Sequence, residues 1–112
     1  MKPDYYEHRH LDRFGDIGKA SPELAKKYFA WYNAVFEEGA LSPREKALIA
    51  VAVAHAVQCP YCIEAWTEGS VERGADAEQI TEAIHVAAAI RGGASLVHGM
   101  MARDVLETKG MG

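Results

Sequence analysis

Cysteine is scarce: Cys59 and Cys62 are the only two in 112 residues. A structural zinc site takes four ligands, commonly a second C-x-x-C or two closely spaced histidines. The one close histidine pair, His8 and His10, falls in an N-terminal arm, so no structural metal is expected. Positive charge is not in excess. Twelve Lys and Arg stand against sixteen Asp and Glu, a net charge of -4, which removes the electrostatic reason to expect nucleic acid or an anionic membrane as a partner. No stretch approaches the roughly 18 to 20 apolar residues that span a bilayer. The first ten residues are polar and lack the apolar centre of a secretory signal, so a cytoplasmic location is expected. Thiols are kept reduced there, and a lone C-x-x-C points to catalysis or metal binding before a structural staple. Strand signals, linkers, repeats and low-complexity tracts are absent. The only glycine pair, Gly92-Gly93, lacks the G-x-G-x-x-G spacing and the preceding strand of a nicotinamide or flavin fingerprint. No cofactor is expected.

What the chain does hold is helix. Its 49% apolar residues suffice for one core. Residues 1–20 read as an irregular arm and 21–112 as a single helical domain. Ser21-Pro22-Glu23 reads as a cap with proline at the first helical position, and Gly39 as the stop. Ser42-Pro43-Arg44-Glu45 is a capping box. The eleven residues 47–57 after it are apolar except for His55, the pattern of a buried central helix. Pro60 disfavours helical geometry at Cys59, so that helix ends before the cysteines and a new one begins at Pro60, stopping near Gly74. Asp76-Ala77-Glu78-Gln79 starts a fourth helix. Gly92-Gly93 is expected to interrupt or kink it, with a fifth running from about Ala94 to Lys109. The fold class is all-α, about five helices with short connections.

The chemistry sits in Cys59-Pro60-Tyr61-Cys62. A thiol at a helix N-terminus meets the positive end of the peptide dipoles, which favours the nucleophilic thiolate. Two thiols one turn apart can also close a disulfide. A thioredoxin-type module would place this motif after a strand, and no strand precedes it. His55, four residues before Cys59 and the lone polar group of its helix, is a candidate to exchange a proton with the thiols. His85, on the alanine-rich fourth helix, is another. Glu45 is a supporting candidate already engaged by the capping box. Tyr61 is expected to shape the site and Trp66 to wall it or enter an interface. Glu64 reads as a solvated carboxylate in the first turn of its helix, and His98 as structural.

The run 40–66, ALSPREKALIAVAVAHAVQCPYCIEAW, resembles the alkylhydroperoxidase D family, part of the wider carboxymuconolactone decarboxylase superfamily. Gly74-Ala75-Asp76 and Glu82-Ala83-Ile84 continue the similarity, which covers roughly residues 21–108. The resemblance implies an all-helical protomer, assembly into homo-oligomers (trimers or hexamers), and a peroxidase that reduces a small hydroperoxide or a partner disulfide with an external thiol reductant. It also implies that Cys62 attacks the peroxide and Cys59 resolves the sulfenic acid. Helix electrostatics alone leave the order open and lean toward Cys59 as the more activated thiol. The family pattern carries a glutamate and a histidine at the positions that are Ala47 and Trp66 here, so its proton relay is missing. By overall look the chain also resembles a subgroup linked to arsenosugar biosynthesis. A thiol site for a soft metal or metalloid is therefore an alternative reading, ahead of a decarboxylase-like lyase or a non-enzymatic scaffold.

Overall fold

The clearest local instruction in the chain is Ser42-Pro43-Arg44-Glu45. In the computed structural model, which describes residues 7–112, it is a complete capping box. The Ser42 hydroxyl accepts from the Glu45 N–H at 3.1 Å, and the Glu45 carboxylate accepts from the Ser42 N–H at 2.9 Å. Five α-helices and one 3₁₀ segment follow in order among the described residues: α1 (His8–Asp12), the 3₁₀ segment (Phe14–Ala20), α2 (Pro22–Val35), α3 (Pro43–Ala56), α4 (Pro60–Glu72) and α5 (Ala77–Thr108). None is long and apolar enough to cross a membrane.

The backbone N–H of Ser42 holds the Glu45 carboxyl below the usual glutamate range, helped by the Ser42 hydroxyl. A carboxyl with a lowered folded-state pKa adds stability above its unfolded pKa and loses it as pH falls through the folded value. Ser42→Ala is expected to cost about 1 kcal/mol in urea unfolding at neutral pH. Glu45→Gln should flatten the acid limb of the stability profile.

α3 buries one stripe, Ala47, Val51 and Ala54, at helical spacing. The core is small: Val51, Ala75 and Ile80, with Leu48, Trp66, Ala83 and Ile84 against them. The opposite flank of α3 stays open, with Ile49, Val53 and Val57 half exposed or more. The expected all-round burial of this helix is therefore met on one face only within a single chain.

Three further readings are corrected. Residues 8–20 are not irregular; they form α1 and the 3₁₀ segment, which pack on α4 and α2, while residues 1–6 of the expected arm lie outside the described residues. Ser21 occupies the cap position of α2 but makes no side-chain cap hydrogen bond. α2 ends at Val35, short of Gly39, where Lys46 Nζ donates to the Val35 and Glu37 carbonyls at 2.8 and 2.6 Å. Finally, Gly92-Gly93 does not interrupt α5, which runs unbroken for 32 residues. Glycine lowers helix propensity by about 1 kcal/mol per residue but keeps its N–H donor, so the hydrogen-bond ladder continues.

The N-terminal half of α5 packs on α3 through Ile80, Ala83, Ile84 and Ala87. Arg91 donates to the Ala56 carbonyl at the end of α3. From residue 88 to the C-terminus every residue except Leu106 is exposed. The radius of gyration is 19.0 Å, against about 13 Å for a compact domain of this length.

Candidate active site

The turn between α3 and α4 delivers the two cysteines. Gln58 adopts a left-handed conformation, φ 57°, the backbone setting that reverses a helix end. The Gln58 N–H donates to the His55 carbonyl at 3.2 Å and the Cys59 N–H to the Ala54 carbonyl at 3.0 Å. Both bonds of this termination motif satisfy carbonyls that the end of α3 would otherwise leave open. Cys59 becomes the N-cap of α4 and Pro60 its first residue.

Cys59 Sγ accepts the Cys62 N–H at 3.3 Å. Cys59 and Cys62 are joined as a disulfide, with Cα atoms 5.3 Å apart, inside the bridging range of about 7 Å. Both sulfurs thus sit in the first turn of α4, at the positive end of its peptide dipoles, a setting that favours thiolate over thiol in the reduced state.

Two cavities of nearly equal size meet at this turn. One, about 570 Å³, is bordered by both cysteines together with His10, Tyr32, Tyr61 and Trp66. The other, about 560 Å³, is almost wholly apolar and is bordered by Cys62, Phe36, Val53, Val57 and Trp66, with Lys46 at its edge. Cys62 and Trp66 border both; Cys59 borders only the first. Trp66 is firmly held. Its Nε1–H donates to Tyr32 Oη at 2.8 Å, its ring stacks on Phe36 at 3.9 Å, and the Arg73 guanidinium lies 5.2 Å from its centroid. An added Cβ on Gly69 would come within 3.1 Å of that indole, so a side chain there would press on the ring and require it to shift by a few tenths of an ångström.

The other candidates are dispersed. His55 Nδ1–H donates to the carbonyl of Val51 in its own helix at 2.8 Å, and His55 borders neither cavity. Glu45 is engaged by Ser42 at the far end of α3. His85 and His98 are exposed on α5. Tyr61 does reach the first cavity. Ala47 has 0% exposure, so no side-chain volume is free there. Among the described residues no group of three or more His, Cys, Asp or Glu side chains converges as metal ligands.

The N-terminal histidines are what sequence reasoning missed. His8 Nδ1 lies 3.3 Å from the Glu64 carboxylate, with the two side chains 34% and 11% exposed. Glu64 is therefore a nearly enclosed carboxylate beside an imidazole, not the solvated one expected. His10 Nδ1 lies 3.1 Å from Tyr61 Oη. Tyr61 and Glu64 are three apart and share a face of α4, but a polar face of that kind is ordinarily solvated, so nothing local marks it as a docking face for α1.

Residues 22–103 match the model of the carboxymuconolactone decarboxylase family. The chain is similar to a Paracoccus denitrificans protein described as uncharacterized protein 4 in cox locus, 46% identical over 83% of this chain and 84% of that one. It is also similar to an uncharacterized protein of Haemophilus influenzae, 37% identical over 61% of this chain and 62% of that one. A crystal structure of a protein from Methanobacterium thermoautotrophicum superposes with a TM-score of 0.71 at 36% identity, over 75% of this chain and 94% of that one.

Proposed function

The chain belongs to the carboxymuconolactone decarboxylase family, and from that premise we propose that it is a dithiol peroxidase of the alkylhydroperoxidase D kind, working through Cys62 and Cys59. The observation that carries the reading is a thiol pair within bridging distance, at a helix N-terminus, opening onto two cavities. Cys62 thiolate attacks one oxygen of a hydroperoxide. The O–O bond breaks, the alkoxide takes a proton and leaves as alcohol, and Cys62 becomes a sulfenic acid. The Cys59 thiol condenses with it, releasing water and forming the disulfide. An external dithiol then returns both cysteines to thiols and is itself oxidised. The assignment of attack to Cys62 is supported by its place on both cavities, whereas Cys59 borders one.

A decarboxylase acting on a carboxylated lactone needs cations to hold its carboxylates. Among the described residues lining the two cavities, the only Lys or Arg is Lys46. Its ammonium already donates to two backbone carbonyls.

The reading includes assembly with copies of the same chain. Leu96, Val97, Met100, Met101 and Val105 on the projecting half of α5 are 58–80% exposed. Apolar surface of this extent on a helix standing clear of its own core is the usual mark of an association surface.

The test is rapid mixing of reduced protein with one equivalent of an organic hydroperoxide, followed by intact mass. The expected result is loss of two hydrogens per chain, about 10²-fold or more faster than free cysteine reacts. Reaction no faster than free cysteine would sink the peroxidase reading. Stoichiometric retention of a trivalent metalloid without turnover would replace it with thiol-based ligand binding.

A further inference from the structure

Resting on the peroxidase reading, we infer that His10 and Tyr61 deliver the proton that the departing alkoxide needs. An alkoxide leaving group is about as basic as hydroxide, whose parent water gives up its proton only far above neutral pH. Its expulsion into an apolar cavity without a proton is costly, so a donor aimed at that oxygen is worth far more than one at the sulfur. The positions where the family pattern carries its relay hold Ala47 and Trp66, and neither offers a titratable proton.

The first cavity supplies one instead. His10 and Tyr61 border the same roughly 570 Å³ as both cysteines, and their polar atoms are 3.1 Å apart. Of the other polar groups on that cavity, Trp66 donates its only N–H to Tyr32, the Asn33 amide is no acid, and the Tyr32 hydroxyl, which accepts the Trp66 bond, has no imidazole beside it among the described residues to replace a lost proton. His55 and Glu45 border neither cavity. His10 is exposed, so it can be recharged from water. The Tyr61 hydroxyl hands its proton to the alkoxide, and His10 replaces that proton through Nδ1 while its exposed ring takes one up from water. The net transfer is one proton from water, through His10 and Tyr61, to the alcohol product. The two electrons come from the Cys62 sulfur and go to the O–O bond.

The His8–Glu64 contact sets this up. Glu64 stands three residues beyond Tyr61 on α4, and its hold on His8 at 3.3 Å seats α1 so that His10 meets Tyr61. His8 and Glu64 are positioning residues.

The test compares oxidants that differ in leaving group. Reduced wild type, His10→Gln and Tyr61→Phe react in single turnovers with tert-butyl hydroperoxide, which leaves as a basic alkoxide. They also react with peracetic acid, which leaves as acetate, and with an aromatic disulfide whose leaving thiolate needs no proton. Circular dichroism verifies helix content. Both variants are expected to lose about 10²-fold with the alkyl hydroperoxide while keeping wild-type rates with the other two. An equal loss with all three oxidants, or no loss with any, would overturn the inference while leaving the peroxidase reading in place. A wild type that reacts with the aromatic disulfide but shows no acceleration with alkyl hydroperoxide would overturn both.

Discussion

Serine in place of Cys62 is expected to abolish rapid hydroperoxide consumption, and serine in place of Cys59 to permit one fast event and then halt. The difference follows from the order of steps. Without Cys62 there is no sulfur on both cavities, and a hydroxyl at neutral pH is a very poor substitute for a thiolate. The expected loss is the entire acceleration over free cysteine. Without Cys59 the first step survives, but the sulfenic acid has no thiol beside it, so the protein carries one added oxygen until an external thiol arrives. Intact mass and trapping with a sulfenic-acid reagent read the two states directly. The inverse pattern, a stalled Cys62→Ser and an inert Cys59→Ser, would exchange the roles and favour the thiol whose Sγ receives the Cys62 N–H.

Ala47→Glu, together with Trp66→His, would rebuild the relay of the alkylhydroperoxidase D pattern, and it is expected to damage this protein. Ala47 has 0% exposure and faces the contact of α3 with its neighbours. A carboxylate there is uncompensated, and removing one partner of a buried pair costs about 3–5 kcal/mol in comparable situations. Trp66→His also gives up the Tyr32 hydrogen bond and the Phe36 stacking. Urea unfolding of reduced protein at fixed chain concentration should show Ala47→Glu less stable by that order, with no gain in peroxide rate. Wild-type stability with a faster reaction would mean that the relay of that pattern fits this fold.

Local chemistry made much of the fold readable. The boxes at Ser42 and Asp76 each close within four residues, and Pro60 and Gly74 mark their helix ends by backbone geometry alone. What escaped was non-local. Residues 8–20 place Leu11, Phe14 and Ile17 three apart, the period of a 3₁₀ helix, but they are held by Tyr61, Glu64 and Phe29, the last in an edge contact with Phe14 at 5.3 Å. No local pattern announces such partners.

His55 misleads for a different reason. It precedes Cys59 by four residues, the spacing of neighbours on a helix, yet helical side chains lean toward the N-terminus. Its imidazole therefore reaches back to Val51, away from the cysteines, and α3 has in any case ended before Cys59. Trp66, one turn beyond Cys62 on α4, faces the same space and borders both cavities.

The disulfide bridges residues only three apart. In a chain-entropy account, closing so short a loop removes little freedom from the unfolded chain, about 2 kcal/mol against about 3 kcal/mol for a fifteen-residue loop. The folded state therefore gains less from this bond than from one that closes a longer loop. Under the peroxidase reading, each turnover opens and remakes the weaker kind of staple, which keeps small the covalent change imposed on the fold.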